Sequence, residues 1–374
     1  MMTSLLDRTD VFVVGGGPAG LAAAIAIRRL GFEVTLADAA QPPIDKTCGE
    51  GLMPDALVAL KRLGINIPIG AAVPFQGIRF NDGFSSVQAR FPRDYGLGIR
   101  RTTLHEIMVS KATELGVNML WGAHVSSLTP GSVIVNQREI RCRWLVGADG
   151  QNSRVRRWSG LEAVRSKVSG RFGYRRHYRI VPWSEFVEVD WTEHGQLYIT
   201  PTGPEELCVA FLTRDPRIRL DGALDAFPEI GSRLRGAALI TRDQGAVSAM
   251  RSLRHVYRGS IALIGEASGS VDAITGEGLS MAFQQAHALA QALLKQDLRE
   301  YEAAHRRISR LPCVMAKLML LMDRNPWLRA RALRAFQANP RLFERMLAIH
   351  TGAASPLDLD LRTALSFSWD LVTA

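Results

Sequence analysis

Cysteine is scarce in this 374-residue chain, which contains only four. None of them stands in a CxxC spacing or a paired pattern, so a fold built on disulfides is not expected. We interpret all four as free thiols in a reducing compartment: Cys48, Cys142, Cys208 and Cys313. The N-terminus lacks a basic segment followed by an apolar core and a cleavage site, so we expect a cytoplasmic protein without a secretion signal.

The chain also lacks an apolar run long enough to cross a membrane. Its longest uncharged stretch, Val11 to Ile27, falls short of the ~20 apolar residues that a span requires. The four glycines and one proline in that stretch are typical of a buried strand, a turn and a helix. The 47% hydrophobic and 22% charged residues are those of an ordinary globular protein. The length predicts two domains, or one large domain with an inserted lobe.

Signals for nucleic-acid binding are missing as well, although the net charge is +10. The basic residues are scattered as Arg-Arg pairs, without an interleaved aromatic platform or a recognised DNA- or RNA-binding motif. We therefore predict no nucleic-acid partner and no metal site. The charge indicates either a solvated basic surface or one that attracts anionic cofactors or lipid headgroups.

A dinucleotide-binding pattern is present near the N-terminus. An apolar strand, Val11 to Val14, leads into Gly15-x-Gly17-x-x-Gly20 and then into a helix. Gly15 makes the tight turn, Gly17 lets the backbone approach a pyrophosphate, and Gly20 lets the helix pack close to the strand. The pyrophosphate would sit at the helix N-terminus, where unpaired N–H groups and the helix dipole favour negative charge.

An acidic residue completes this pattern. A second strand, Glu33 to Ala37, ends in Asp38, which comes 18 residues after Gly20. A carboxylate there would accept hydrogen bonds from the adenosine ribose hydroxyls. The alternative is a glycine-rich turn with a fortuitous aspartate. No second GxGxxG is present, so the two-Rossmann plan of disulfide reductases is not expected.

Three segments, in this order and spacing, resemble one superfamily: GGGPAGLAAA, GADGQNSRVRR and IALIGEASGSVDAITGEGLSMAF. The superfamily comprises single-component flavoprotein monooxygenases and geranylgeranyl reductases that share the p-hydroxybenzoate hydroxylase fold. The resemblance covers about residues 8–300 and implies an FAD cofactor, with NAD(P)H as transient reductant. It places Asp149-Gly150 near the FAD pyrophosphate and the NAD(P)H path. It also implies that Gly265 and Glu266 hold the ribityl chain, although the family usually has Asp where this chain has Glu266.

The resemblance implies that the late Gly276–Gly278 loop contacts the flavin end of the cofactor. Its backbone N–H groups would reach the pyrimidine edge of the isoalloxazine ring. The helix beginning near Leu279 would point its positive end at N1 and O2, where negative charge collects on reduction. The alternative is an ordinary turn before a helix.

Two further segments contribute expected contacts. The Cys48-Gly49-x-Gly51 run resembles a segment beside the flavin in geranylgeranyl reductases, and redox chemistry by Cys48 is not expected because no resolving cysteine is nearby. Arg101, rather than Arg100, matches an FAD-contacting arginine, and Val125 is expected to meet the adenine. The expected cofactor-binding residues are Gly15, Gly17, Ala19, Gly20, Asp38, Ala39, Cys48, Gly49, Gly51, Arg101, Val125, Asp149, Gly150, Gly265, Glu266, Gly276, Gly278 and Leu279.

The predicted fold is α/β: a Rossmann-type FAD-binding domain with an inserted antiparallel β-sheet substrate domain and C-terminal helices. Catalytic residues are not identifiable, because strand register decides whether Tyr174, His177, His194 or Tyr198 faces a substrate. The predicted domains are 1–69, 98–164 and 256–298 for the discontinuous FAD-binding domain, 70–97 and 165–255 for the substrate domain, and 299–374 for the C-terminal helical segment.

The C-terminal segment is basic and contains an apolar run with Met315, Met319 and Met322 at helical spacing. This run is either a buried packing helix or one wall of a tunnel for an apolar substrate. In the second case the arginines would rest on an anionic membrane surface, giving a peripheral membrane contact.

The function predicted first is an NAD(P)H-dependent monooxygenase. It would use molecular oxygen and a flavin C4a-hydroperoxide to hydroxylate a small apolar substrate, aromatic or polyketide-like. The alternative is an ene-reductase of prenyl or lipid chains, which the Cys-Gly-x-Gly segment and the methionine-rich helix favour. A third interpretation is a non-catalytic FAD-binding module. The WxWxIP segment of flavin-dependent halogenases is missing, so halogenation is not expected.

Overall fold

Two large β-sheets and a C-terminal set of helices make up the architecture. The computed structural model describes residues 7–162 and 170–355. The strands of the first sheet are β1 (Arg8–Val14), β2 (Val34–Asp38), β8 (Asn118–Trp121), β9 (Val125–Thr129), β10 (Ser132–Val135), β11 (Arg138–Gly147), β18 (Tyr257–Arg258) and β19 (Ile261–Leu263). The second sheet contains β5 (Gly77–Asn81), β6 (Ser86–Arg90), β12 (Arg171–Arg179), β13 (Phe186–Trp191), β14 (Gln196–Gly203), β15 (Glu206–Thr213), β16 (Ala238–Leu239) and β17 (Gln244–Ser248).

Three short strands form a third, small antiparallel sheet. Its strands are β3 (Gly51–Leu52), β4 (Val73–Phe75) and β7 (Gly96–Gly98). The helices are α1 (Pro18–Arg28), α2 (Pro54–Arg62), α3 (Arg101–Glu114), α4 (Arg154–Trp158), α5 (Leu220–Leu224), α6 (Pro228–Leu234), α7 (Gly278–Leu294), α8 (Leu298–Arg324), α9 (Pro326–Ala338) and α10 (Pro340–His350).

The centre of the first sheet is parallel. β1 pairs in parallel with both β11 and β2, and β2 pairs in parallel with β8. Because α1 connects β1 to β2, these elements form the βαβ unit expected from the glycine motif. The strand and helix predicted there are confirmed, and β2 ends at Asp38 as expected.

The second sheet is antiparallel except for one pair, since β5 runs parallel to β13. Its order is β16-β12-β15-β14-β13-β5-β6, and β17 pairs with β12 along the same edge as β16, nearer the start of β12. All of these strands come from the ranges predicted for the substrate domain. The division into domains stays a prediction, and its boundary at residues 164 and 165 lies outside the described residues.

One local pairing differs from the sequence pattern. The alternating run at residues 118–128 has the pattern of paired strands, but its two strands have separate partners: β8 pairs with β2 and β9 pairs with β10. The apolar residues of β8 extend the parallel sheet at its edge, and β9 begins a separate antiparallel ribbon. Alternation alone does not distinguish these partners.

The helices fall into two groups. α1 is buried over nearly its whole length, and its alanines pack with Ala286 and Ala290 of α7 in the core of the first sheet. α8, α9 and α10 share a second core with the second sheet, in which Phe80 contacts both Trp191 and Phe343. In the described ranges, no helix combines the length and apolar character needed to cross a bilayer.

Candidate cofactor and substrate site

A continuous cavity of about 1140 Å³ lies among the first sheet, the second sheet and the C-terminal helices. Sites for one small molecule usually enclose ~300–1,000 Å³, so this space is large enough for a cofactor together with a substrate. Of the eighteen cofactor-binding residues predicted, all except Gly20 line it.

The glycines after β1 have the geometry that their predicted roles need. Gly15 has φ +110°, and a Cβ there would lie 2.4 Å from the Ala148 carbonyl oxygen. A Cβ at Gly20 would lie 1.8 Å from the Gly15 carbonyl oxygen, so Gly20 serves helix packing and not the cavity wall. A Cβ at Gly17 would meet nothing within 4 Å, which leaves open space at the start of α1.

Asp38 is held in place at the end of β2. Its Oδ2 accepts a hydrogen bond from Gly16 N at 2.6 Å, and its Oδ1 accepts one from Ala40 N at 2.7 Å. Ala39 and Val125 line the cavity beside it. A fixed carboxylate of this kind is oriented before any ligand arrives, and each oxygen keeps capacity to accept a further hydroxyl.

Asp149 has a structural task that the motif did not reveal. Its carboxylate accepts hydrogen bonds from the Ser153 hydroxyl and from the backbone N–H groups of Arg154 and Val155 at 2.7 and 3.1 Å. It therefore holds the first turn of α4. Asp149 and Gly150, with φ +76°, both line the cavity.

Glu266 forms an ion pair with Lys46, and both side chains are nearly half exposed. The pair joins the late motif to the segment before Cys48 at the cavity wall. Gly265, with φ +61°, is held against Ala19, because a Cβ there would lie 2.6 Å from the Ala19 Cβ. The glutamate in place of the usual aspartate thus has a partner of its own.

The loop before α7 repeats the arrangement found before α1. Gly276 has φ +70°, which favours glycine. A Cβ at Gly278 would meet nothing within 4 Å, and α7 begins there without a side-chain cap. Its first N–H groups therefore remain available to a ligand in the cavity. Leu279 lines the same wall.

Arg101 and Arg100 are placed differently. Arg101 lines the cavity at the first residue of α3, and its buried Nε has no hydrogen-bond partner among the described residues. Arg100 pairs instead with Glu206, with Nη1 3.1 Å from Oε1. An uncompensated buried donor at the cavity wall is one that a phosphate or carbonyl oxygen would satisfy.

The Cys48–Gly51 segment is fixed by a buried charge network that the sequence did not predict. Glu50, at φ +60°, accepts hydrogen bonds from Arg101 N at 2.9 Å and from Arg175 at 2.7 Å. His177 Nε2 lies 2.6 Å from its other oxygen. Burial raises the pKa of Glu50, but the hydrogen bond and charge of His177 and the charge of Arg175 bring it below its usual value. The network ties the cavity segment to β12.

Cys208 also approaches this segment. Its thiol lies 3.8 Å from the Cys48 carbonyl oxygen, and Glu50, His177 and Cys208 present their donor atoms within 4.8 Å of one another. Arg175 is shared between two carboxylates, because it also pairs with Asp45, with Nη2 2.9 Å from Oδ2. The expectation that no cysteine lies near Cys48 rested on sequence distance, and the structure corrects it.

Of the four residues considered as catalytic acids or bases, two line the cavity and two do not. Tyr174 and Tyr198 line the cavity, and the Tyr198 hydroxyl donates to the Ile274 carbonyl oxygen at 2.9 Å. Burial raises the pKa of Tyr198. His177 is buried in the Glu50 network, and His194 is exposed beside Glu193.

Glu277 and His350 form a buried pair that the sequence reasoning missed. Glu277 Oε2 lies 3.8 Å from His350 Nδ1, and neither atom has a hydrogen-bond partner within the part of the chain that is described. Burial, and then the charge of Asp55, raise the pKa of Glu277 to about 9, whereas burial lowers the pKa of His350 to about 4. At neutral pH Glu277 is therefore protonated and His350 is uncharged, and His350 lines the cavity.

The far arm of the cavity is apolar. It is enclosed by methionine and phenylalanine side chains of α8, α9 and α10 and by aliphatic and aromatic side chains of the second sheet. These are Met315, Met319, Met322, Phe336, Phe343, Met346, Phe75, Ile78, Phe80, Val187 and Val189. The methionine run was predicted as either a packing helix or a tunnel wall. Met319 is buried in the core and also lines the cavity, and the role of that wall as a substrate tunnel stays a prediction.

Comparisons with known proteins find a family model and several relatives that match this chain. Residues 8–175 match the family described as an FAD binding domain. Menaquinone reductase of Mycolicibacterium smegmatis is 28% identical over 324 residues, 79% of each chain. Digeranylgeranylglycerophospholipid reductase 1 of Methanopyrus kandleri is 27% identical over 296 residues, 73% of this chain and 77% of its own. The monooxygenase candidate YetM of Bacillus subtilis is 26% identical over 332 residues, 79% of this chain and 86% of its own.

A solved structure extends the agreement to nearly the whole fold. A flavoprotein/dehydrogenase from Cytophaga hutchinsonii superposes with a TM-score of 0.80 at 17% identity and covers 98% of each chain. The chain contains an FAD binding domain match and has the p-hydroxybenzoate hydroxylase-like fold. The proteins similar to it include FAD-dependent monooxygenases and geranylgeranyl reductases. The predicted recognition and fold class are confirmed.

Proposed function

We propose that this flavoprotein reduces a carbon–carbon double bond in an isoprenoid chain. The observation that carries the proposal is the apolar arm of the cavity, which runs from the Gly276–Gly278 loop along the methionines of α8. Such a channel offers an extended hydrocarbon chain apolar contacts and few hydrogen-bond donors or acceptors. We therefore rank double-bond reduction, the alternative predicted from the sequence, ahead of hydroxylation.

The relatives support the same choice. Two of the proteins that match most of this chain are named for the reduction of menaquinone and of digeranylgeranylglycerophospholipid, and both substrates carry isoprenoid chains. Their match extends across the second sheet as well as the FAD-binding domain. We take this likeness as support for an isoprenoid substrate.

The residues present fit FAD. Open space in front of Gly17 and Gly278 and the unpaired Arg101 Nε occur where the cofactor's phosphates and ring would need donors. We propose that the turn after β1 and Asp38 hold the adenosine diphosphate, and that the loop before α7 holds the ring. Bound FAD, once reduced by NAD(P)H, supplies a hydride.

Saturating the double bond takes one hydride and one proton, and oxidises one NAD(P)H to NAD(P)⁺. The protein must therefore deliver a proton inside a largely apolar cavity. We assign this to the Glu277–His350 pair, because Glu277 keeps its proton at neutral pH and His350, whose Nδ1 lies 3.8 Å from Glu277 Oε2, lines the cavity. The start of α7, beside this pair, stabilises negative charge in the same region.

Hydroxylation with molecular oxygen remains the second candidate. The match to YetM, a monooxygenase candidate, covers 79% of this chain, and the phenol of Tyr198 lies at the cavity wall. In that case one oxygen atom of O₂ would enter an apolar substrate and the other would leave as water.

One experiment separates the two functions. The FAD-loaded protein is incubated with NAD(P)H and geranylgeranyl or menaquinone lipids, without oxygen and then with ¹⁸O₂, and the products are analysed by mass spectrometry. The reductase predicts a gain of two hydrogens per double bond without oxygen and no label with it. Incorporation of label would overturn this proposal in favour of the monooxygenase. A bound flavin that NAD(P)H never reduces with any substrate would indicate a binding module.

A further inference from the structure

We propose that the exposed face of α8, with the start of α9, docks on the surface of an anionic lipid bilayer. Three large apolar residues of α8 are exposed on this face: Val314, Leu318 and Leu321, at 48%, 45% and 50%. Trp327, at the start of α9, is 59% exposed. We call these four residues and the basic residues between them the α8 face.

The apolar residues of the α8 face lie on one side of the helix. Val314, Leu318 and Leu321 follow each other at spacings of four and three residues, which places them next to each other on a helical surface. An exposed apolar stripe that ends in a tryptophan is typical of helices that lie in a membrane interface. Tryptophan favours this depth because its ring is apolar and its N–H can reach water.

Basic side chains interleave with this stripe. Arg310, Lys317 and Arg324 are exposed and fall on the same side of α8 by helical spacing. From residue 303 to residue 322, α8 has no acidic residue. Its remaining acids are engaged: Glu300 with Lys295, Glu302 with Arg306, and Asp323 with Arg214. Among residues 7–162 and 170–355, the face therefore combines apolar surface with positive charge that no acidic side chain is recorded to pair, which suits phospholipids with anionic headgroups.

The α8 face is continuous with the cavity. Leu318 is exposed and also lines the cavity, and Met315 and Met322 lie on the adjoining stripe of the same helix. A lipid chain could thus pass from a bilayer under α8 into the apolar arm without crossing a polar surface. This route would serve a lipid reductase, but bilayer binding does not depend on which reaction the site performs.

The test is co-sedimentation of the full-length protein with vesicles of phosphatidylcholine alone or with phosphatidylglycerol. Each basic residue near an anionic surface strengthens binding roughly fivefold, so three of them predict about 100-fold tighter binding to the anionic vesicles. Trp327 emission should shift to shorter wavelength on binding, and Trp327→Phe should remove that shift. Equal binding to both vesicles, or none, would overturn the proposal.

Variants locate the contact. Leu318→Ser with Leu321→Ser, and Lys317→Glu with Arg324→Glu, should each weaken vesicle binding at least tenfold. Ile69→Ser is the matched control, because Ile69 is a fully exposed apolar residue outside the α8 face, and it should bind as the wild type does. A dimer in light scattering that dissociates in the leucine variant would show that a second copy covers this face, and would refute the bilayer as its occupant.

Discussion

Two glycines offer a direct test of where the cofactor lies. A Cβ at Gly17 or at Gly278 would meet nothing within 4 Å, and neither position has positive φ. Alanine therefore fits the protein without FAD, and the apo-protein should be slightly stabilised, by ~0.4–1 kcal/mol, because the unfolded chain loses freedom. In the assigned site, however, the added methyl groups occupy space needed by the pyrophosphate and by the ring.

The expected loss of affinity follows from the cost of overpacking. Forcing a methyl group into a packed contact costs ~1–3 kcal/mol, which corresponds to roughly 5- to 150-fold weaker binding. We expect Gly17→Ala and Gly278→Ala to weaken FAD binding by this amount in a fluorescence titration of apo-protein. The melting temperature of the apo-protein should stay the same or rise in both.

Two controls accompany these variants. Gly222→Ala also adds a Cβ that meets nothing within 4 Å, but Gly222 does not line the cavity, so FAD affinity should not change. Gly20→Ala places a Cβ 1.8 Å from the Gly15 carbonyl oxygen and should destabilise the fold itself. The reasoning is refuted if both cavity variants bind FAD as tightly as the wild type.

Two other predictions concern buried charges. The folded pKa of Glu277 is raised to about 9 from 4.5, so its contribution to stability is complete below pH 4.5 and is lost as pH rises through 9. Glu277→Gln should flatten the fall in melting temperature between pH 6 and 10, and melting-temperature curves parallel to those of the wild type would contradict the raised pKa. If Glu277 is the proton source, the same variant should also slow double-bond reduction ~10²-fold or more. Glu50→Gln leaves the buried Arg175 with an incomplete partner set and should cost ~3–5 kcal/mol of unfolding free energy. Arg175 also donates hydrogen bonds to Asp45 and Gln244, so a loss below ~1 kcal/mol in urea denaturation would show that these two partners suffice.

The cofactor motifs were predictable because each is local. The turn at Gly15–Gly20, the acidic end of β2 and the loop before α7 are specified within a few residues, where backbone conformation dictates glycine or an acceptor. The resemblance to one superfamily then set their order in space. The antiparallel character of the second sheet was implied by the same resemblance.

The missed features join residues that lie far apart in the chain. Glu50 meets His177 across 127 positions, and Cys208 meets Cys48 across 160 positions. Glu277 meets His350 only because α10 returns to the loop before α7. Single residues of these types carry no spacing signal, and the register of β12 and β15 decides which of them face the cavity.

The methionines of the apolar arm have a consequence for selectivity. Methionine is unbranched and adapts its shape at little cost, so a wall that contains Met315, Met319, Met322 and Met346 accommodates chains of different lengths and curvatures. Ligand binding at such a wall depends more on the amount of apolar surface that the ligand buries than on the exact shape of the ligand. A single enzyme of this design would process a mixture of homologous lipids, and the product profile in a cell would follow the composition of the available pool.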